Sequence, residues 1–348
     1  MNAPSGLLHT PFETPPIAGE ALEVAEGIFW IRLPLPMALD HVNVYALDEG
    51  DSWTLIDTGL SSRRSRTLWQ DSLAGPLKDK PVSRVLVTHH HPDHVGLAGW
   101  FMAEHGAELV MTRTAWLMAR MLQLDEQDRP TPETLAFWRK NGMDAEELSR
   151  RTHERPFNFA DMVYPIPLGY TRIADNDILR LGGRDWRVRV GNGHAPEHAT
   201  LWCEDAPLVL GGDQLLSTIS PNLGVYATEP DADPVSDWLA SCAAFQTFAR
   251  DDHLVLPGHK LPFTGLPGRL KQLIENHENA LSRLEDFLKE PRLAPETFSL
   301  LFKRSISRDN YGLAFVEAVA HLNHLLHAGR AVRRDRGDGV WTWHAAPK

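Results

Sequence analysis

The sequence predicts an α+β fold, a mixed sheet whose strands end on one common rim with helices between them. Two observations predict it. An apolar run, a turn of small residues and a potential metal ligand follow one another repeatedly. Residues 188–190 lead to Gly191-Asn192-Gly193-His194, residues 208–210 to Gly211-Gly212-Asp213, and residues 254–256 to Pro257-Gly258-His259. The second observation is denser. The β-branched run 82–87 enters Thr88-His89-His90-His91-Pro92-Asp93-His94, and a helix-like stretch, 95–101, follows. Ligands gather at the carboxyl ends of strands in such sheets, so these clusters imply one site.

Length and composition bound the rest. With 348 residues the chain can bury one large core and carry a small appendage. No apolar run approaches the ~18 residues of a membrane span. The first residues are Pro-rich, without the basic stretch and apolar core of a signal peptide, which points to a cytoplasmic protein. Cys203 and Cys242 are too few for a disulfide framework and read as reduced thiols. A net charge of −11 argues against general polyanion binding. Residues 292–348 differ, with nine Lys/Arg against five Asp/Glu.

Taken in order, residues 1–20 should form an extended arm. Strands are expected at 27–31, 42–47 and 53–56, a helix at 63–73 and another strand at 108–111. Residues 113–153 change character, with helices at 115–122, 133–141 and 144–152, and read as a helical insertion or lid. Strands resume at 178–181, 186–190, 200–203 and 208–210. A helix at 234–248, a strand at 254–256 and a long amphipathic helix at 267–289 complete a domain spanning 21–290. Pro291 and Pro295 mark a linker into 291–348. There Phe315, Val319, Leu322 and Leu326 share one helix face, Gly329 stops the helix, and strand, turn and strand follow. That outline is winged-helix-like.

The motifs Asp57, His89-x-His91-x-Asp93-His94, His194, Asp213 and His259 resemble those of the metallo-β-lactamase-fold hydrolases, in particular the glyoxalase-II-like and lactamase-B-like branch. The resemblance covers roughly residues 20–290 and implies an αββα sandwich with metals at one edge. It implies two divalent metal ions. His89, His91 and His194 would hold one, Asp93, His94 and His259 the other, with Asp213 bridging; Asp93 and Asp213 are the candidate catalytic carboxylates. Imidazole and carboxylate suit Zn2+ first, and iron or manganese also fit such a mixed set. Such a pair lowers the pKa of a shared water and polarises the scissile bond. Asp57 resembles the carboxylate that orients a ligand histidine, and His198 matches a position behind the ligands. Glu197 stands where glycine is usual, a carboxylate without an assigned role.

Other residues carry weaker expectations. Trp116, Met121 and Trp138, with Met118, could line an acyl pocket under the insertion, or simply pack it. His90 is expected to be exposed. His321, His324 and His327 recur every three residues off the apolar face and read as a solvated histidine face rather than a third metal site.

Substrate is argued separately from fold. The favoured reading is hydrolysis of a small ester, thioester or lactone. The alternative is an endoribonuclease, whose RNA would meet Arg333, Arg334 and Arg336; a persulfide-dioxygenase-like activity comes third. The expected partner is a small molecule, with no membrane; nucleic acid is disfavoured and a homo-oligomer is compatible.

Overall fold

The computed structural model describes residues 8–302 and 305–347. The larger sheet follows chain order: β1 (Ala21–Ala25), β2 (Ile28–Pro34), β3 (His41–Asp48), β4 (Trp53–Ile56), β5 (Val82–Leu86), β6 (Glu108–Thr112) and β7 (Thr171–Ile173). Its first four strands pair antiparallel and the remainder parallel. The smaller sheet holds β8 (Ile178–Leu181), β9 (Arg184–Gly191), β10 (His198–Cys203), β11 (Leu208–Gly212) and β12 (Leu254–Pro257), with only β11 and β12 parallel. Helices α1 (Arg63–Ala74), α2 (Pro92–Val95), α3 (Ala98–His105) and α4 (Arg113–Leu124) lie between strands of the larger sheet.

Period-two alternation sorts each strand's side chains into two cores. Ile28 and Trp30 of β2, Tyr45 and Leu47 of β3, Ile56, Leu86 and Val110 face the other sheet, where they meet Trp186, Val188, Leu201, Leu210 and Leu256. The alternate residues Ile31, Leu33, Val42, Val44, Leu55, Val85 and Leu109 pack beneath Trp69 of α1, Phe101 of α3 and Ala115 and Ala119 of α4. Strands buried on both faces read as continuous apolar runs, which is why they stand out in the sequence. Each fully buried aliphatic side chain stabilises by about 1.5–3 kcal/mol. The architecture is the αββα sandwich.

The chain divides into two compact units, and the division is not the expected one at residue 290. The first takes the described residues to Glu126, Asn158–Pro221 and Phe248–Arg269; the second takes Gln127–Phe157, Asn222–Thr247 and the described residues from Leu270. The expected insertion 113–153 is therefore split. Its first helix, α4, belongs to the sandwich. Helices α5 (Pro132–Lys140) and α6 (Ala145–His153) belong to the second unit with α7 (Pro234–Gln246), most of α8 (Leu266–Phe287), α9 (Phe298–Leu301), α10 (Tyr311–His327) and the antiparallel hairpin β13 (Ala331–Asp335) and β14 (Trp341–Ala345).

Long-range contacts explain the split. Phe137 of α5 meets Phe315 of α10 edge-on at 6.3 Å, and the Tyr311 hydroxyl donates to the Asp144 carboxylate at 2.7 Å. Helix α10 is also buried beyond one face, since Val316, Ala318, Ala320, His321, Asn323 and Leu325 are covered along with Phe315, Val319 and Leu322. Among the described residues, no helix is long and apolar enough to cross a membrane.

Candidate metal centre

Strand ends of both sheets deliver the rim. Asp57 follows β4, Thr88 and His89 follow β5, His194 follows β9, Asp213 follows β11 and His259 follows β12. Pro92 opens α2, whose first turn carries Asp93 and His94. These side chains form three groups with ligand atoms within 4.8 Å of one another: His89, His91 and His194; His89, His94 and Asp213; Asp93, His94 and His259.

In the first group His91 Nδ1 lies 3.0 Å from both His89 Nε2 and His194 Nε2. One nitrogen carries at most one proton and cannot satisfy both neighbours. The His89 Nδ1–H is directed instead at Thr88 Oγ1, 3.0 Å away. Burial, reinforced by neighbouring imidazoles, pushes His89 and His91 well below the usual histidine range, so their lone pairs remain available. Three nitrogens at this spacing approach the edge of about 3.3 Å that a tetrahedron with 2.0–2.1 Å bonds requires.

The second group is carboxylate-rich. Asp213 Oδ2 lies 3.1 Å from His259 Nε2 and 3.6 Å from His194 Nε2, while Oδ1 faces His94 Nε2 at 3.4 Å. Asp93 Oδ2 stands 3.4 Å from His259 Nε2 and 3.7 Å from His94 Nε2. His94 Nε2 and Asp213 Oδ1 are buried without a hydrogen-bond partner. Burial opposes charge on His94 and His259, yet the surrounding carboxylates outweigh it, raising His94 well above its ordinary range and His259 to about 10. This half of the site attracts positive charge. Gly258 keeps the space open: a Cβ there would stand 2.3 Å from Asp213 Oδ1 and 2.8 Å from His94 Cε1. Paired lone pairs, orphaned polar atoms and a side-chain-free cradle together fit a pair of cations.

One carboxylate orients two of these rings. Asp57, at φ 61°, accepts from His94 Nδ1 at 2.8 Å and from the Thr88 amide and hydroxyl. Because Thr88 Oγ1 donates to Asp57, it can accept from His89 Nδ1. His89 and His94 therefore both present Nε2 to the centre.

The profile of the Metallo-beta-lactamase superfamily matches residues 37–259, and that of the Metallo-beta-lactamase-like C-terminal domain matches 281–346. The chain belongs to the metallo-beta-lactamase superfamily. A probable metallo-hydrolase, YqjP, of Bacillus subtilis (strain 168) is 26% identical over 88% of this chain and 94% of its own length. The crystal structure of a beta-lactamase domain protein from Burkholderia ambifaria shares 35% identity over 97% of this chain and 98% of its own, with a TM-score of 0.89. A metallo-beta-lactamase family protein from Thermus thermophilus shares 28% over 93% and 100%, with a TM-score of 0.76. As a member of this superfamily the chain is a metallo-hydrolase, with a candidate site for divalent metal ions on the rim.

Around the candidate ligands of the rim, other residues have distinct tasks. His198 is fully buried, stacks on His89 with ring centroids 4.5 Å apart, and accepts the Asp213 amide through Nε2 at 3.1 Å. Glu197 turns to α4: its carboxylate accepts the Thr114 amide at 2.6 Å and its carbonyl accepts the Thr112 hydroxyl. It caps a helix whose Thr112 provides no side-chain cap. His90 is buried, not exposed, and burial lowers it to about 3.

The pocket candidates separate. Trp116 is half-buried, packs against the sandwich core and stacks on Tyr170 at 4.6 Å. Met121 is exposed, together with Leu117 and Leu124 on the same helix. Trp138 lies in the second unit, 5.7 Å from the Arg151 guanidinium. The α10 histidines are a solvated face only in part: His321 is buried, His324 is half-buried and bonds the Asp233 carboxylate, and His327 is exposed while bonding the Asp231 carbonyl.

The sequence marks 42–47 as a strand but not as part of the site, yet His41, Asn43 and Tyr45 of β3 contact the turn carrying His259. Their signal was available: polar side chains at every second position of a buried strand, opposite Val42 and Val44.

Proposed function

We propose that the chain is a dinuclear metal-dependent hydrolase acting on a small ester, thioester or lactone. The observation that carries this reading is Asp213, which offers one oxygen toward His194 and His259 and the other toward His94. His89, His91 and His194 would hold one divalent ion, Asp93, His94 and His259 the second, and Asp213 would join them. Zinc suits this donor set best. When bound, the pair polarises the carbonyl under attack and lowers the pKa of water towards ~7, which supplies the nucleophile.

The chain's own groups orient and protect that chemistry. Asp57 and Thr88 hold two imidazoles in one tautomer, and His198 fixes the backbone that presents Asp213. Asp93, with its side chain 20% exposed against 8% for Asp213, is the carboxylate more open to substrate. RNA is less well supported, because Arg333 pairs with Asp231 and stacks on Trp341, and Arg336 pairs with Asp338.

The test is a substrate panel. Metal-quantified full-length protein is assayed against acyl-thioesters, lactones, aryl esters and single-stranded RNA. Turnover of an ester-like class that a chelator abolishes is expected; RNA cleavage without ester turnover would overturn the proposal.

A further inference from the structure

Strand β3 runs past the turn that carries His259, and its side chains at 41, 43 and 45 share one face of the sheet. His41 accepts from His259 Nδ1 through its carbonyl at 2.7 Å, which leaves His259 Nε2 directed at Asp93 and Asp213. The His41 ring is fixed by the Asp40 carboxylate at Nδ1, 2.6 Å away, so Nε2 accepts the Lys260 amide at 2.9 Å. Asn43 Nδ2 donates to the carbonyls of Pro257 and Lys260 at 2.9 and 2.8 Å, and its amide donates to Gly258 O at 2.7 Å. The Tyr45 hydroxyl donates to Pro257 O at 2.8 Å.

Lys260, next to the ligand, sits at φ 68°, a left-handed conformation that a lysine adopts only at a cost. Its amide and its carbonyl are both held by β3 side chains, His41 and Asn43. Backbone strain of this kind persists where surrounding structure over-determines it. Among the described residues, these bonds end on Pro257–Lys260 or on Asp40, and none on the His89, His91 and His194 group.

We propose that His41, Asn43 and Tyr45 form a positioning clamp that aims His259 and so governs occupancy of the second metal position without governing the first. The inference rests on the two-metal reading above. A purely structural seam between the sheets would affect both positions alike. The clamp affects one.

Metal-stripped full-length wild type, Tyr45→Phe and Asn43→Ala are titrated with Zn2+ against a chromophoric chelator, and with Co2+ by its d–d absorption. The step belonging to the second position is identified as the one Asp93→Asn removes. In the variants that step should weaken by about 10–100-fold, the range seen when an outer partner of a ligand is lost, and the other should move by no more than about twofold. Asn43→Ala should exceed Tyr45→Phe. If Asn43→Ala does not fold, Tyr45→Phe, which removes one hydroxyl, decides alone. Equal weakening of both steps in Tyr45→Phe, or no change in either, would overturn the clamp. A single step in the wild type would overturn the two-metal reading itself, and is seen before any variant is compared.

Discussion

Two histidine clusters lie in this chain, and they are built in opposite ways. At the rim, His91 Nδ1 faces two other ring nitrogens at 3.0 Å, and His94 Nε2 has no hydrogen-bond partner. On α10, His321 bonds the Glu317 carbonyl, His324 the Asp233 carboxylate and His327 the Asp231 carbonyl. The first cluster leaves lone pairs converging on a point; the second uses its rings as ties. Histidine density does not mark a metal site, but convergent unmet lone pairs do.

The largest effect should come from Asp213→Ala, which removes the group common to both halves of the rim. Turnover should fall by more than the roughly 10–100-fold that losing an outer partner costs. Circular dichroism should still report a folded chain. Unchanged turnover would end the proposed role of the rim.

The α10 cluster should show itself in stability. Burial, then the neighbouring His277 charge, lowers His321 from 6.5 to about 4. Its surroundings are the His277 ring stacked on it at 5.9 Å, the Asp233 carboxylate, and His324 and the Glu317 carbonyl on its own helix. The unfolded chain therefore binds more protons between these values, so this contribution is complete above pH 6.5 and is lost as pH falls towards 4. Its size is roughly 2–4 kcal/mol. Chemical denaturation across that window should be less pH-dependent in His321→Gln; an equal slope would contradict the buried-tie reading.

Asp57→Asn keeps the shape of the rim but weakens the carboxylate shared by His94 and the Thr88–His89 pair. Metal affinity should drop by about 10–100-fold, measured by chelator competition. No loss would show that the tautomers are set elsewhere.

Element order was largely legible because apolar strands, turn glycines and caps act locally. The helix 63–73 and strands 53–56 and 82–87 lie within a residue of α1, β4 and β5. The H-x-H-x-D-H stretch was legible for the same reason, since strand end and Pro92 fix its local geometry. What stayed hidden depends on partners far along the chain. Asp144 gives no sign that it will meet Tyr311, so the split of 113–153 between units could not be read. The α10 histidines could not be matched with 231–233, nor β3 with the turn after β12. The short strands β1 and β7 lack a distinctive pattern and were missed.

Glu197 also belongs to that hidden class, and it sets the smallest effect. Its carboxylate caps α4 rather than facing the rim. Glu197→Ala should cost about 1 kcal/mol by thermal or chemical unfolding. Metal content should not change. A loss of bound metal with unaltered stability would return Glu197 to the site.

The most direct measurement is elemental analysis of metal-replete full-length protein beside the variant carrying His321→Gln and His324→Gln. Two transition-metal ions per chain in both samples is the predicted result, since the rim alone converges on cations. One ion in the wild type, or the loss of an ion from the α10 variant, would contradict it.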